Sequence, residues 1–192
     1  MRFLSIFTLI FALASINAFA DGGSGGSKHS VPDSLNRPPN YPKPPLTTER
    51  LFYVQRTPNS NTIVYDINVD KNGKPNVDEP VKVYWIKYNE KGQKEDLNYI
   101  QRRFAYGLNF KSLGNDNFDI HFVSYKKFPL TLMKANDGKY HIFALISKKQ
   151  AILNHIFVKI EGGTFWFPNV AYVEVEGTDP KTGREMVERF KP

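Results

Sequence analysis

The sequence predicts a mainly β domain, an antiparallel sheet of about nine strands, curved or barrel-like, packed by one α-helix. Three observations predict it. Through most of residues 51–192 apolar side chains alternate with polar ones at period two, the spacing of half-buried strands. The connectors carry turn chemistry: Asn136-Asp137-Gly138 joins two apolar runs, and Asp179-Pro180-Lys181-Thr182-Gly183 offers a preset Pro and a Gly free for positive φ. The one strong segment with helical spacing is residues 94–106.

The 192 residues suit a single domain with additions at the N-terminus. Residues 1–20 read as a signal peptide, with a basic start at Arg2, an apolar run over 3–14 and an A-x-A site at Ala18-Phe19-Ala20, so cleavage is expected after Ala20. Ser5, Thr8, Ser15 and Asn17 interrupt the run, which falls short of the ~20 residues that span a bilayer. No comparable run follows, so no transmembrane segment is expected after cleavage, and Asp21 in place of Cys argues against a lipid anchor. The chain has neither Cys nor an N-x-S/T acceptor, which suits a bacterial periplasmic or secreted protein. Without cysteine, a disulfide framework, a zinc–thiolate site and a Cys nucleophile are excluded. Lys and Arg number 26 against 19 Asp and Glu, for a net charge of +7, and cleavage removes only Arg2 from that balance. So mild an excess predicts no nucleic-acid partner.

Residues 21–50 change composition: a Gly/Ser tract over 22–27 precedes Pro32, Pro38, Pro39, Pro42, Pro44 and Pro45. The segment reads as a disordered linker, either a solvated spacer or a proline ligand for a partner's aromatic groove. Residues 51–192 form the expected single domain. Its strands are expected at 51–56, 62–69, 81–88, 118–122, 130–134, 140–146, 152–160, 170–176 and 184–190. The stretch 81–88 is apolar on both faces, Val81, Val83 and Trp85 against Tyr84, Ile86 and Tyr88, and so predicts a central strand covered twice. The helix is its natural cover. Leu97, Ile100, Phe104 and Leu108 recur at helical spacing, Glu95 and Asp96 sit in its first turn, and Gly107 offers a stop.

On the opposite side of that helix, Tyr99, Arg102, Arg103 and Tyr106 gather at ~100° per residue into a cationic, aromatic face. Guanidinium and phenol groups so placed could hold an anionic or sugar-like ligand, or form an ordinary solvated face. Arg56 shares strand parity with Phe52 and Val54, so it ends an apolar face and needs a partner: a ligand carboxylate or phosphate, or Asp66 or a carbonyl. Asn68-x-Asp70-x-Asn72-Gly73 with Asn76 and Glu79 follows the spacing of a calcium loop, making Asp70, Asn72 and Glu79 a weak calcium candidate. A plain turn after a strand explains the same residues. His121, His141 and His155 lie on three expected strands without metal-ligand spacing, and no G-x-S-x-G elbow occurs. Glu174, Glu176, Glu185 and Glu188 face Arg184 and Arg189 across the last hairpin, an arrangement of cross-strand ion pairs.

The segments Leu51-Phe52-Tyr53-Val54-Gln55-Arg56, 59–66, Val83-Tyr84-Trp85-Ile86, Arg103-Phe104-Ala105-Tyr106-Gly107 and Gly177-Thr178-Asp179-Pro180-Lys181-Thr182-Gly183 occur in that order. Together they resemble family 4833 of the domains of unknown function, a group of secreted bacterial proteins, over residues 51–192. The resemblance implies a bacterial, extracytoplasmic, single-domain protein and carries no activity with it.

The expectation is therefore an extracytoplasmic binding or structural module that engages an apolar, aromatic or anionic small ligand or an envelope component, with no cofactor. Arg56, Tyr65, Trp85, Arg103 and Tyr106 are the expected ligand-binding set, and strand parity places Tyr65 and Trp85 in one cavity with Arg56. Two alternatives stand beside it. A cell-envelope hydrolase would use His121 or His155 with a carboxylate in a cleft, and a calcium-dependent adhesion or assembly domain would bring Asp70, Asn72 and Glu79 together.

Overall fold

The computed structural model describes residues 38–164 and 167–192; the expected signal peptide, its cleavage site and the Gly/Ser tract lie outside the described residues. In chain order come β1 (Arg50–Arg56), β2 (Asn59–Ile67), β3 (Val81–Lys87), β4 (Gln93–Asp96), α1 (Tyr99–Phe104), β5 (Leu108–Gly114), β6 (Asn117–Phe122), β7 (Leu130–Lys134), β8 (Tyr140–Ile146), β9 (Lys149–Gly163), β10 (Pro168–Thr178) and β11 (Glu185–Phe190). All eleven strands join one sheet. Nine follow the path β4-β3-β2-β1-β9-β8-β7-β6-β5, while β10 pairs with β9 and β11. The result is a mainly β, mostly antiparallel sheet curled into a half-barrel, with one short helix.

Alternation explains the curl's two faces. Phe52 and Val54 of β1, Ile63 and Tyr65 of β2, and Val81, Val83 and Trp85 of β3 point to the inner face, where they join Phe118, Ile120 and Phe122 of β6, Leu130 and Leu132 of β7, and Ile142, Ala144 and Ile146 of β8 in one core. Phe52 stacks on Tyr65 at 4.3 Å between ring centroids, and Phe122 meets both rings edge-on. Val64, Ile86, Phe143 and Phe157 are buried outside that core cluster.

The 15-residue β9 holds the halves together. Its residues 149–152 pair antiparallel with β8, 155–158 pair parallel with β1, and most of its length pairs with β10. The parallel pair departs from the all-antiparallel expectation because β1 and β9 are joined by no hairpin; they meet only after the intervening chain has folded around. Between Glu176↔His155 and Gly177↔Leu153 the register slips, leaving Asn154 as an extra residue. This bulge reverses the alternation: Ala151 and Leu153 face the core before it, and Ile156 and Val158 face it after, with His155 and Phe157 outward. Gly177 opposite the bulge has no room for a side chain, since a Cβ there would meet the Ile152 carbonyl oxygen at 2.6 Å.

Three local expectations are corrected. The helix is six residues, not the thirteen of 94–106. Residues 93–96 are instead a fully exposed strand on the edge of β3, with Trp85 opposite Glu95. The helix starts where Asn98 caps it: Asn98 Oδ1 accepts from the Gln101 N–H, and Gln101 Oε1 accepts from the Asn98 N–H. Strand β5 was not expected either, because Leu108 was absorbed into the helical pattern. Finally, α1 covers the Trp85 face of β3 and not its opposite face.

That opposite face meets the proline-rich chain. Residues 38–50 were expected as part of a solvated linker, yet Pro44 is buried, the Tyr41 ring lies 6.3 Å from the Phe157 ring, Gln55 donates to the Pro42 carbonyl (2.9 Å) and Tyr88 to the Lys43 carbonyl (3.0 Å). An extended chain leaves its carbonyls free as acceptors, which is how the Pro42 and Lys43 carbonyls bond Gln55 of β1 and Tyr88 just after β3.

Candidate functional site

Inside the half-barrel is a cavity of about 400 Å³, within the ~300–1,000 Å³ of small-molecule sites. Two walls enclose it. One is aliphatic, from Val54 of β1, Ile156, Val158 and Ile160 of β9, and Val170, Val173 and Val175 of β10. The other is aromatic: Tyr65, Trp85, Phe104, Tyr106, Phe122, Tyr125, Phe128 and Phe190. Ile100 and Gln101 of α1 and the end of the β9–β10 hairpin, at Gly162, Gly163 and Thr164, complete the lining. Arg56 is the single charged residue among them.

Strand parity puts Arg56 here, as the inward residue after Phe52 and Val54. Its guanidinium carbon lies 6.0 Å from the Trp85 ring centroid and 5.9 Å from that of Tyr106, so two π-faces flank the cation. Its Nε is buried without a hydrogen-bond partner, and no ion pair reaches Arg56 among the described residues. Asp66, the acid considered for it, is engaged elsewhere: it binds Arg50 at 2.7 Å and accepts from the Tyr84 hydroxyl at 2.7 Å. The Tyr84 phenol is pushed up to about 12 by its burial and by that carboxylate.

Each aromatic neighbour is held in place. Tyr65, wholly buried, donates its hydroxyl to the Tyr106 carbonyl at 2.9 Å; burial drives its phenol well above the ordinary value of 10.0. Burial also raises the Tyr106 phenol, with the neighbouring Arg56 cation acting in the opposite sense. Trp85 Nε1 donates to Gln101 Oε1 at 3.3 Å, so the side chain that caps α1 also fixes the indole. Trp85 and Tyr106 rings cross at 82° with centroids 5.1 Å apart. Ser124 donates to the Ala105 carbonyl at 2.7 Å, tying the loop after β6 to the helix end.

Of the expected set, the structure brings Arg56, Tyr65, Trp85 and Tyr106 together and leaves Arg103 out. Helical phase placed Tyr106 beside Arg103, but α1 stops at Phe104, and the chain then turns Tyr106 inward against Trp85. Arg103 instead rests over Tyr99 and Phe104, at 5.9 and 5.7 Å from their ring centroids. Arg102 pairs with Glu79 at 2.7 Å. The aliphatic wall was visible in sequence as two apolar runs, but nothing local said that β9 and β10 would stand beside β1.

The calcium candidates serve other partners. Asp70 Oδ1 accepts from the Asn72 and Lys74 backbone N–H groups, which hold its carboxyl below its ordinary 3.8, while Glu79 is bound to Arg102. Among the described residues no group of three or more His, Asp or Glu could hold a metal ion. The histidines have carboxylates close by, His121 with Asp119 and His155 with Glu176, each at 3.3 Å. Neither lines the cavity; His155 faces outward, stacked on Tyr53 at 4.5 Å. Across the last hairpin the expected ion pairing takes the form of Arg189 donating through Nε and Nη2 to Glu174, at 2.9 and 2.6 Å.

No curated protein and no solved structure matches the chain. The family model described as Domain of unknown function (DUF4833) matches residues 52–189, which include every lining residue named above except Phe190. The chain therefore belongs to that family, Domain of unknown function (DUF4833).

Proposed function

We propose that this chain is an extracytoplasmic binding module whose inner-face cavity takes up a small, mainly apolar molecule. The observation that carries the reading is the cavity itself: about 400 Å³ between an aliphatic and an aromatic wall, with few polar groups on its lining. A hole of that size lined by hydrocarbon forgoes the dispersion contacts of a filled core and offers a guest apolar burial worth ~25 cal/mol per Å². The signal-like residues 1–20 support an address outside the cytoplasm, where the guest is an envelope component or a small molecule met there.

The test is uptake of N-phenylnaphthylamine, an uncharged probe whose fluorescence rises in apolar surroundings, by the mature chain. Saturable uptake is expected, and Val158→Trp, which fills the cavity from β9, should weaken it at least tenfold with the fold intact by circular dichroism. Uptake that Val158→Trp leaves unchanged would place the probe elsewhere and remove the reading.

A further inference from the structure

The one charged side chain on the cavity lining among the described residues defines the class of guest more narrowly. Arg56 stands among Val54, Tyr65, Trp85, Tyr106 and Val158, and among the described residues no carboxylate lies on the lining. Its Nε–H is buried and donates to nothing, although an arginine carries five donors arranged to meet an oxyanion through two parallel bonds. A protein ordinarily satisfies a cation set in apolar surroundings with a counter-charge, because the desolvation cost is otherwise uncompensated. Asp66, the acid the sequence offered for it, stands opposite Arg50 at the other end of β1 and is bound to Arg50 and Tyr84. The flanking rings of Trp85 and Tyr106 stabilise the cation, and Tyr106 also meets it with a side-chain hydrogen bond, so the donor left without a partner is the Nε–H.

From this juxtaposition, and resting on the binding reading above, we infer that the cavity binds an amphiphilic monoanion: a carboxylate received by Arg56, with an apolar chain or ring lying between the aliphatic and aromatic walls. The guest supplies the missing counter-charge. Lysine would not replace Arg56 equivalently, since an ammonium presents a point charge and cannot meet both carboxylate oxygens with a fixed planar fork.

Decanoate and decan-1-ol share an alkyl chain and differ in the head group, so calorimetric titration of both into the mature chain separates the two readings. Decanoate is expected to bind at least tenfold more tightly than decan-1-ol. In Arg56→Gln the preference should fall to about twofold or less, with decan-1-ol still bound, which also shows that the cavity has kept its shape. Arg56→Lys should recover only part of the preference. Equal binding of the two molecules by the unaltered chain would overturn the carboxylate inference and leave the apolar cavity reading standing. Binding of neither would overturn both.

Discussion

Tyr65 shows how one buried hydroxyl can set the position of a cavity wall. Its ring is packed between Phe52 and Phe122, so the hydroxyl has a fixed place from which to donate to the Tyr106 carbonyl. Tyr65→Phe keeps the ring packing and leaves that carbonyl without its donor. The expected cost is ~1–2 kcal/mol in urea unfolding, with weaker probe uptake because the Tyr106 backbone loses its anchor. A variant as stable as the parent would show that water satisfies the carbonyl instead. Glu176 gives a pH prediction. The His155 hydrogen bond holds its carboxyl below the ordinary 4.5, so the folded state binds its proton less readily than the unfolded chain does. The resulting stability is present above the unfolded value and is lost as pH falls through the lower folded value. Glu176→Gln should therefore lose less stability than the parent between about pH 5 and pH 3. Parallel profiles from urea unfolding across that range would contradict the assignment. With the Glu176 side chain 40% exposed, solvent screening keeps the effect small.

At the scale of elements, the short helix depends on how its last turn gives way to β5. The Tyr106 N–H bonds the Gln101 carbonyl at 2.8 Å, and Gly107 passes so close to Arg102 that a Cβ would stand 1.8 Å from its carbonyl oxygen. Gly107→Ala forces the turn open and should cost ~1–3 kcal/mol, read as a lower midpoint of thermal unfolding and a change in Trp85 fluorescence. The strands were legible where an apolar run is bounded by turn residues: 130–134 and 140–146 match β7 and β8, and the inward positions of Arg56, Tyr65 and Trp85 follow from parity alone. Legibility failed where that rule had nothing to act on. Gln93–Asp96 is exposed along its whole length, so no alternation marks it, and Leu97 and Leu108 lie outside α1 yet share its spacing by coincidence. The bulge at Asn154 is a register event between β9 and β10, visible only once the two strands are paired.

For the whole molecule, the decisive contact is the one between β1 and β9. Thr57 and Ile160 bond each other twice across it: Thr57 Oγ1 donates to the Ile160 carbonyl at 2.9 Å and accepts from the Ile160 N–H at 2.7 Å. A chain ending after residue 148 retains β1 to β8 but lacks the strand that joins β1 to β8 and, but for Val54, the aliphatic wall of the cavity. Such a fragment should show no cooperative thermal transition by circular dichroism, whereas two independent transitions in the intact chain would mean that the halves fold alone. The same distance in sequence sets an order of events during synthesis. Thr57 leaves the ribosome 103 residues ahead of Ile160, and at ~5–20 residues per second that is a delay on the order of 5–20 s. Once β3 has emerged, β1–β3 wait with their inner apolar face uncovered until β9 follows. The late arrival of β9 therefore leaves a window in which the earlier strands lack the wall that closes their fold.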